Sequence, residues 1–184
     1  MRKITFISGN QFKVNLLTDY LGLAVDHIDL DLDEIQSFDL REIIEYKAKQ
    51  AYELIKKPVL VEDNALEIKA LGRLPGPFIK WFLQELGDEG ICRILDGFPE
   101  RGAYASVCYG YYDGDLLKKF YGGLNGSIVD RPRGKGHGWN TIFIPEGSSK
   151  TYAQMPDQWF EQYGLRAATV FPELKEFLTT LDRK

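Results

Sequence analysis

The chain has 184 residues, 23 Lys and Arg against 27 Asp and Glu, and a formal net charge of −4. Its 44% hydrophobic and 27% charged residues match a folded protein with its own core and exclude disorder, collagen and low-complexity arrays. No apolar run approaches the ~20 residues of a membrane span, the opening Met1–Gly9 is too short in apolar residues for a secretory signal, and the acidic balance argues against a protein that coats nucleic acid.

Ile4 to Ile7 is a short β-favouring run that Ser8-Gly9-Asn10 breaks. Phe12, Leu16, Leu17, Tyr20 and Leu21 then share one face of a helix, with Gly22 as its stop. Val25 to Leu32 reads as a second strand, polar at alternate positions. The clearest helix follows, because Leu40, Ile43, Ile44, Ala48, Ala51, Leu54 and Ile55 recur at three- and four-residue spacing. Asp39 and Glu42 make a capping-box-like start for it, and Pro58 ends it. Val59-Leu60-Val61 has the continuous apolar character of a buried strand and runs into Glu62-Asp63-Asn64. Ala65 to Leu71 alternates as a separate strand, Gly72 to Pro77 is a loop, and Phe78 to Leu86 and Ile91 to Leu95 are two helices.

From Ala103 to Val129 the chain is rich in Tyr, Val and Gly, which predicts antiparallel strands with turns at Asp113-Gly114 and Asn125-Gly126. A basic, glycine-rich loop, Arg131 to Gly138, leads to a strand at Thr141 to Ile144. Phe171, Leu174, Phe177, Leu178 and Leu181 form the face of a closing helix that tolerates Pro172 in its first turn. This order predicts a single α/β domain over residues 1–184, built on a mixed sheet. Cys92 and Cys108 have neither metal spacing nor a disulfide framework, which suits reduced thiols in a cytoplasmic protein. Two histidines, His27 and His137, are too few for a multi-histidine metal site.

Four segments carry chemistry. Ser8-Gly9-Asn10-Gln11-Phe12-Lys13 joins a strand to a helix, where unpaired backbone N–H groups receive phosphate oxygens; the same pattern also makes an ordinary turn. Glu62 and Asp63 leave a buried strand at the end where open α/β sheets place ligands. Adjacent strand residues face opposite sides, so the two cannot share one ion without a twist; an acidic turn is the plain alternative. Lys47 falls on or beside the apolar stripe of the strongest helix, where it either snorkels outward or meets a buried anion. Glu34 closes an acidic stretch whose default is a solvated edge. The loop Arg131 to Asn140 combines cations, glycines, His137 and Trp139 in a form that suits closure over a base, or a mobile surface loop with one tryptophan in the core.

Taken together, TFISGNQFK at the start, VLVEDNALEIKALGRLPGPFIKWFLQELG in the middle and GHGWNTIFIPEGSSKTYAQMP near the end resemble the inosine triphosphate pyrophosphatase family in order and over most of the chain. The resemblance implies an elongated α/β fold, its mixed central sheet flanked by helices, with two lobes around a nucleotide cleft and usually a homodimer. It implies hydrolysis of deaminated purine nucleoside triphosphates to monophosphate and pyrophosphate, with Mg²⁺ as cofactor and no membrane or nucleic-acid partner. Ser8, Asn10, Lys13 and Lys80 would then contact substrate, Lys47 would reach the phosphates as a catalytic cation, and Asp63 would activate water. Glu34, Glu62 and Asp63 would form the metal side, and His137, Gly138, Trp139, Asn140 and Arg166 the base side.

The chain departs from the family pattern only on the base side. Gly138-Trp139-Asn140 carries an amide where the family has Asp, His137 stands where an aromatic is usual, and Gln154 replaces a Glu. The Lys-Asn…Ser-His-Arg stretch is replaced by Asp157 to Arg166, in which Arg166 alone matches. These departures predict intact phosphate chemistry with altered base preference, Asn140 and the Trp159-Phe160 pair acting as readers. The alternatives are a pyrophosphatase for pyrimidine or modified nucleotides, and an inactive nucleotide-binding regulator.

Overall fold

The computed structural model describes residues 4–22 and 25–181, apart from the side chains of residues 160 and 161. In chain order the elements are β1 (Thr5–Ile7), α1 (Gln11–Leu21), β2 (Asp26–Ile28), α2 (Leu40–Ile55), β3 (Val59–Ile68), β4 (Pro75–Gly76), α3 (Ile79–Ile94), β5 (Gly102–Tyr112), β6 (Leu117–Ile128), β7 (Phe143–Pro145), α4 (Asp157–Tyr163), α5 (Leu165–Thr169) and α6 (Phe171–Leu181). The strands form one sheet in the order β2-β1-β3-β5-β6-β7, with β4 paired to β3. β1 lies parallel to β2 and β3, so that Phe6 is opposite both His27 and Leu60, whereas the β3–β4 and β6–β7 pairs are antiparallel. The expected α/β class with a mixed sheet is the one the chain adopts. Among the described residues no helix is long and apolar enough to cross a membrane.

The chain divides into two compact units. The first comprises Met1–Asp63, Val107–Gly122 and Arg166–Lys184; the second comprises Asn64–Ser106 and Gly123–Leu165. In the first unit strand alternation sorts side chains to two faces. Phe6, Tyr109, Tyr111 and Phe120 are almost completely buried on one face. There Phe171 of α6 packs on Tyr109 and on Tyr20 of α1, at ring separations of 5.7 and 4.7 Å, and Phe177 packs on Tyr111 and Phe120 at 5.1 and 5.3 Å. The other face receives α2: a Cβ placed on Gly110 would lie 2.3 Å from Ile44 Cγ2 and 3.4 Å from Val61 Cγ2. Glycine at 110 therefore sets how closely the helix approaches the sheet.

The helix ends follow local chemistry. Asn10 Oδ1 accepts the Phe12 N–H at 3.0 Å to cap α1, and Gly22 closes it in the left-handed region at φ 68°. Asp39 caps α2 through the Arg41 N–H at 2.8 Å. The reciprocal capping box does not form, because the Asp39 N–H and the Glu42 carboxylate both turn to the Ser37 hydroxyl, at 3.0 and 2.8 Å.

In the second unit α3 is interrupted at Gly87, whose φ of 65° and ψ of 177° are non-helical, so the two helices expected on either side appear as two helical pieces. Trp139, Phe143 and Tyr152 pack mutually at ring separations of 5.4 to 6.0 Å. Three expectations are corrected. β2 is only three residues long and exposed. β3 runs unbroken through Glu62-Asp63-Asn64, because these polar residues find partners on both faces and need no turn. Asn125-Gly126 lies inside β6, where glycine serves close approach: a Cβ on Gly126 would sit 2.3 Å from the Ile144 carbonyl oxygen of the paired strand β7. α4 and α5 were not anticipated in the sequence.

Because that obstacle is backbone and cannot rotate away, Gly126→Ala is expected to cost about 1–3 kcal/mol in denaturant unfolding. Gly97→Ala, which meets nothing within 4 Å, is expected to stay within about 0.5 kcal/mol of the parent.

Candidate functional site

Strand β3 sets the geometry of the first unit's polar groups. Its alternation sends Glu62 toward Lys13 of α1 and Arg166 of α5, and Val61 and Asp63 toward α2. Glu62 is 4% exposed, with its side chain wholly covered. Its Oε1 accepts from Arg166 Nη2 at 2.9 Å and its Oε2 lies 3.1 Å from Lys13 Nζ. Burial works to raise the Glu62 pKa, but the Arg166 and Lys13 charges overcome it, holding the carboxyl below its usual range. Burial likewise opposes charge on Arg166, and the Glu62 carboxylate reverses that, so the guanidinium stays firmly protonated. Tyr109 is fully buried beside Arg166, and burial pushes its phenol pKa well up, leaving it neutral.

On the opposite face Lys47 of α2 bridges two carboxylates, Asp63 Oδ2 at 3.2 Å and Glu34 Oε1 at 3.4 Å. Burial disfavours its ammonium, yet these two anions outweigh burial and raise the pKa. The lysine on the apolar stripe thus meets anions rather than snorkelling. Glu34 and Asp63 are partly open to solvent. Hard carboxylate oxygens, few in number and partly exposed, are a donor set that suits a divalent cation such as Mg²⁺, which needs only one or two carboxylates from the protein. Glu62, expected with them on the metal side, lies on the other face of the strand. Among the described residues no group of three or more His, Cys, Asp and Glu converges into a cage.

The Ser8–Lys13 segment forms the start of α1. Ser8 Oγ accepts the Asn10 N–H at 3.1 Å, and because Asn10 Oδ1 is the helix cap, its amide N–H₂ is the part available to an outside oxygen. Asp29 comes so near Gly9 that a Cβ there would lie 2.5 Å from its carboxylate, a proximity nothing in the sequence signals.

The second unit holds the remaining expected residues. Lys80 is exposed, with Nζ 5.2 Å from the centre of the Trp81 ring. His137 and Gly138 are exposed, and Gly138 has a φ of 56°. Trp139 is a core residue, 8% exposed, with Nε1 donating to Asn64 Oδ1 at 3.4 Å. Next to it Asn140 is half-buried, and the Thr141 hydroxyl donates to Asp88 at 2.7 Å. Trp159 lies between Tyr152 and Tyr163, at 6.2 and 5.7 Å; the Phe160 side chain is outside the described residues. The pairings that sequence reasoning missed, Glu62 with Arg166 and Asn64 with Trp139, join residues 104 and 75 apart, and no local pattern marks them.

A strand-borne carboxylate on each side of one sheet, each matched by a lysine from a flanking helix, sits in a fold whose family is identifiable. The Ham1 family model matches residues 4–176, and the chain belongs to that family. It is 44% identical over 161 residues to inosine triphosphate pyrophosphatase 2 of Trypanosoma cruzi, covering 85% of this chain and 82% of that protein. It is 33% identical to the dITP/XTP pyrophosphatase of Saccharolobus solfataricus, over 99% of this chain and 96% of the relative. Among solved structures, the Staphylococcus aureus Ham1 protein superposes with a TM-score of 0.83 at 26% identity, covering 97% of this chain and 99% of that one. The resemblance read from the sequence is borne out.

The depressed pKa of Glu62 makes a signed prediction. The unfolded chain binds this proton more readily than the folded one, so the stabilisation is complete above the ordinary value of 4.5 and is lost as pH falls through the folded value. Unfolding free energy measured against pH should show this acid limb in the parent. Glu62→Gln, which leaves Arg166 and Lys13 without their anion, should be less stable at neutral pH by about 3–5 kcal/mol and show a shallower limb.

Proposed function

We propose that this protein is a nucleoside triphosphate pyrophosphatase. It hydrolyses deaminated purine nucleoside triphosphates of the inosine and xanthosine type to monophosphate and pyrophosphate, with Mg²⁺ as cofactor. The observation that carries this reading is the Glu34–Lys47–Asp63 bridge, a protonated lysine held between two metal-competent carboxylates, 3.4 and 3.2 Å away. The relatives' names, inosine triphosphate pyrophosphatase and dITP/XTP pyrophosphatase, support the substrate class.

A triphosphate carries about four negative charges, which repel an anionic nucleophile until they are neutralised. Glu34 and Asp63 would hold Mg²⁺, which supplies part of that neutralisation when bound. Lys47 supplies more from α2. The Ser8 hydroxyl, the Asn10 side-chain amide N–H₂ and the Lys13 ammonium would receive phosphate oxygens, the Phe12 N–H being already bonded to Asn10 Oδ1. Asp63 orients a water toward the α-phosphorus and accepts its proton, which lets pyrophosphate leave. Lys80 adds a further cation for the substrate.

On the base side His137, Gly138, Trp139 and Asn140 determine preference, with Trp139 fixed by packing and Asn140 presenting both a donor and an acceptor. Trp159 and Phe160 are further readers. The enzyme acts as a cytoplasmic homodimer, each chain a single catalytic domain over residues 1–184. Its two free, buried thiols suit a reducing compartment.

Pyrophosphate release measured across inosine, xanthosine, guanosine, adenosine and pyrimidine triphosphates tests the reading. Release from purine triphosphates is expected, abolished by a chelator and restored by Mg²⁺, with discrimination against guanosine weakened by Asn140. An inert chain, or turnover indifferent to chelation, rejects it. Asp63→Asn should lower kcat by about 10²–10⁴-fold while calorimetric nucleotide binding persists; full turnover in that variant removes Asp63 from the proton-accepting role.

A further inference from the structure

We infer that Arg166 is a positioning residue that acts through Glu62 to keep the charge of Lys13 available to the triphosphate, and that it does not read the base. This rests on the pyrophosphatase reading above and assigns a part of the same site. Arg166 and Glu62 are the two dry members of a three-residue chain, 8% and 0% exposed in their side chains, and Lys13, at 18%, is the member that reaches water. Glu62 gives one oxygen to each cation, Oε1 to Arg166 at 2.9 Å and Oε2 to Lys13 at 3.1 Å.

One carboxylate between two cations leaves a net positive charge, and only the Lys13 end of the chain is open to solvent. Arg166 holds Glu62 from behind. Without it, the full negative charge of a buried carboxylate would fall on Lys13, and the lysine would be captured as a closed ion pair. Arg166 is also enclosed: its Nη2 is on Glu62, the buried Tyr109 interacts with it, and its Nε is buried without a hydrogen-bond partner among the described residues. A guanidinium so placed, 8% exposed and turned to Glu62, presents little surface to a purine keto group.

The test uses inorganic triphosphate, which has no base, as a competitive ligand in the full chain, alongside steady-state kinetics with inosine triphosphate. Arg166→Gln is expected to weaken triphosphate binding and raise KM by about tenfold, as loss of one charge-assisted contact would. It should leave kcat within about twofold, since binding lost equally from ground and transition states appears in KM.

Adding Glu62→Gln to Arg166→Gln removes the captor along with its partner. It also removes the uncompensated buried charge that losing either partner alone would leave. The double variant is expected to bind inorganic triphosphate more tightly than Arg166→Gln alone, and Arg166→Lys is expected to stay near the parent.

The inference is overturned by a double variant no tighter than the single one, by a fall in kcat without a change in KM, or by an Arg166→Gln effect confined to base preference with inorganic triphosphate unaffected. A single variant that does not fold is replaced by the double variant. If that double variant binds inorganic triphosphate tenfold more weakly than the parent, the inference is equally lost. A parent chain that neither binds inorganic triphosphate nor releases pyrophosphate rejects the pyrophosphatase reading itself, which separates the two failures.

Discussion

Two successive carboxylates on an interior strand cannot point the same way, and each has to be compensated where it lands. Glu62 faces a dry interior, where an isolated charge costs several kcal/mol even after relaxation. Its position therefore requires cations that can reach it without water. Arg166 comes from α5 and Lys13 from α1, so the ionic requirement of one strand residue fixes the chain entry into the closing helices and the first turn after β1. Asp63 faces α2 and meets a different solution, a lysine shared with Glu34 and a surface left partly wet. The aromatic layer of Phe6, Tyr109, Tyr111, Phe171 and Phe177 makes the Glu62 side dry. Gly110, by letting Ile44 close on the sheet, brings α2 and Lys47 into range of Asp63. Packing and electrostatics are here one constraint seen at two scales.

What was readable in the sequence was what is encoded locally. Asn10 and Gly22 bound α1, Asp39 opens α2, and the three- and four-residue spacing of Leu40 to Ile55 describes the buried face that the helix presents. Lys47 was legible as an anomaly, a cation on an apolar stripe, but its resolution needed Asp63 and Glu34, 16 and 13 residues away. The break expected after Val61 was misread for a physical reason. Polar residues suggest a turn only when solvent is their sole partner, and Glu62, Asp63 and Asn64 have protein partners. Gly126 was misread in the same way: Asn-Gly favours a turn by its conformational freedom, whereas here the absence of a side chain is the property in use. The Glu62–Arg166 pair spans 104 residues, and only the folded topology brings its members together.

The base-side departures acquire a physical sorting once the side chains are placed. Trp139 is held by Phe143, Tyr152 and the Asn64 amide, so its ring is fixed by the core of its unit, and it in turn fixes the backbone that presents Asn140. In that turn His137 is exposed and Asn140 half-buried, whereas Trp139 belongs to the core. Arg166, by contrast, belongs to the other unit's ionic network. There it meets the demand of Glu62 for a cation that reaches it without water.

The two faces of β3 also differ in residual charge. Lys13, Glu62 and Arg166 together keep one positive charge, and its outlet is Lys13. Glu34, Lys47 and Asp63 together keep one negative charge, and its outlets are the partly exposed carboxylates. Under the proposed function, a triphosphate and its divalent cation would be the complementary species for these two outlets. Had both carboxylates faced the same lysine-lined side, each ammonium would be neutralised in place, and the site would have little left for either species. Alternation along one strand keeps the charges apart, so the six groups cancel within the whole-chain balance of −4 while each face retains a charge of its own sign.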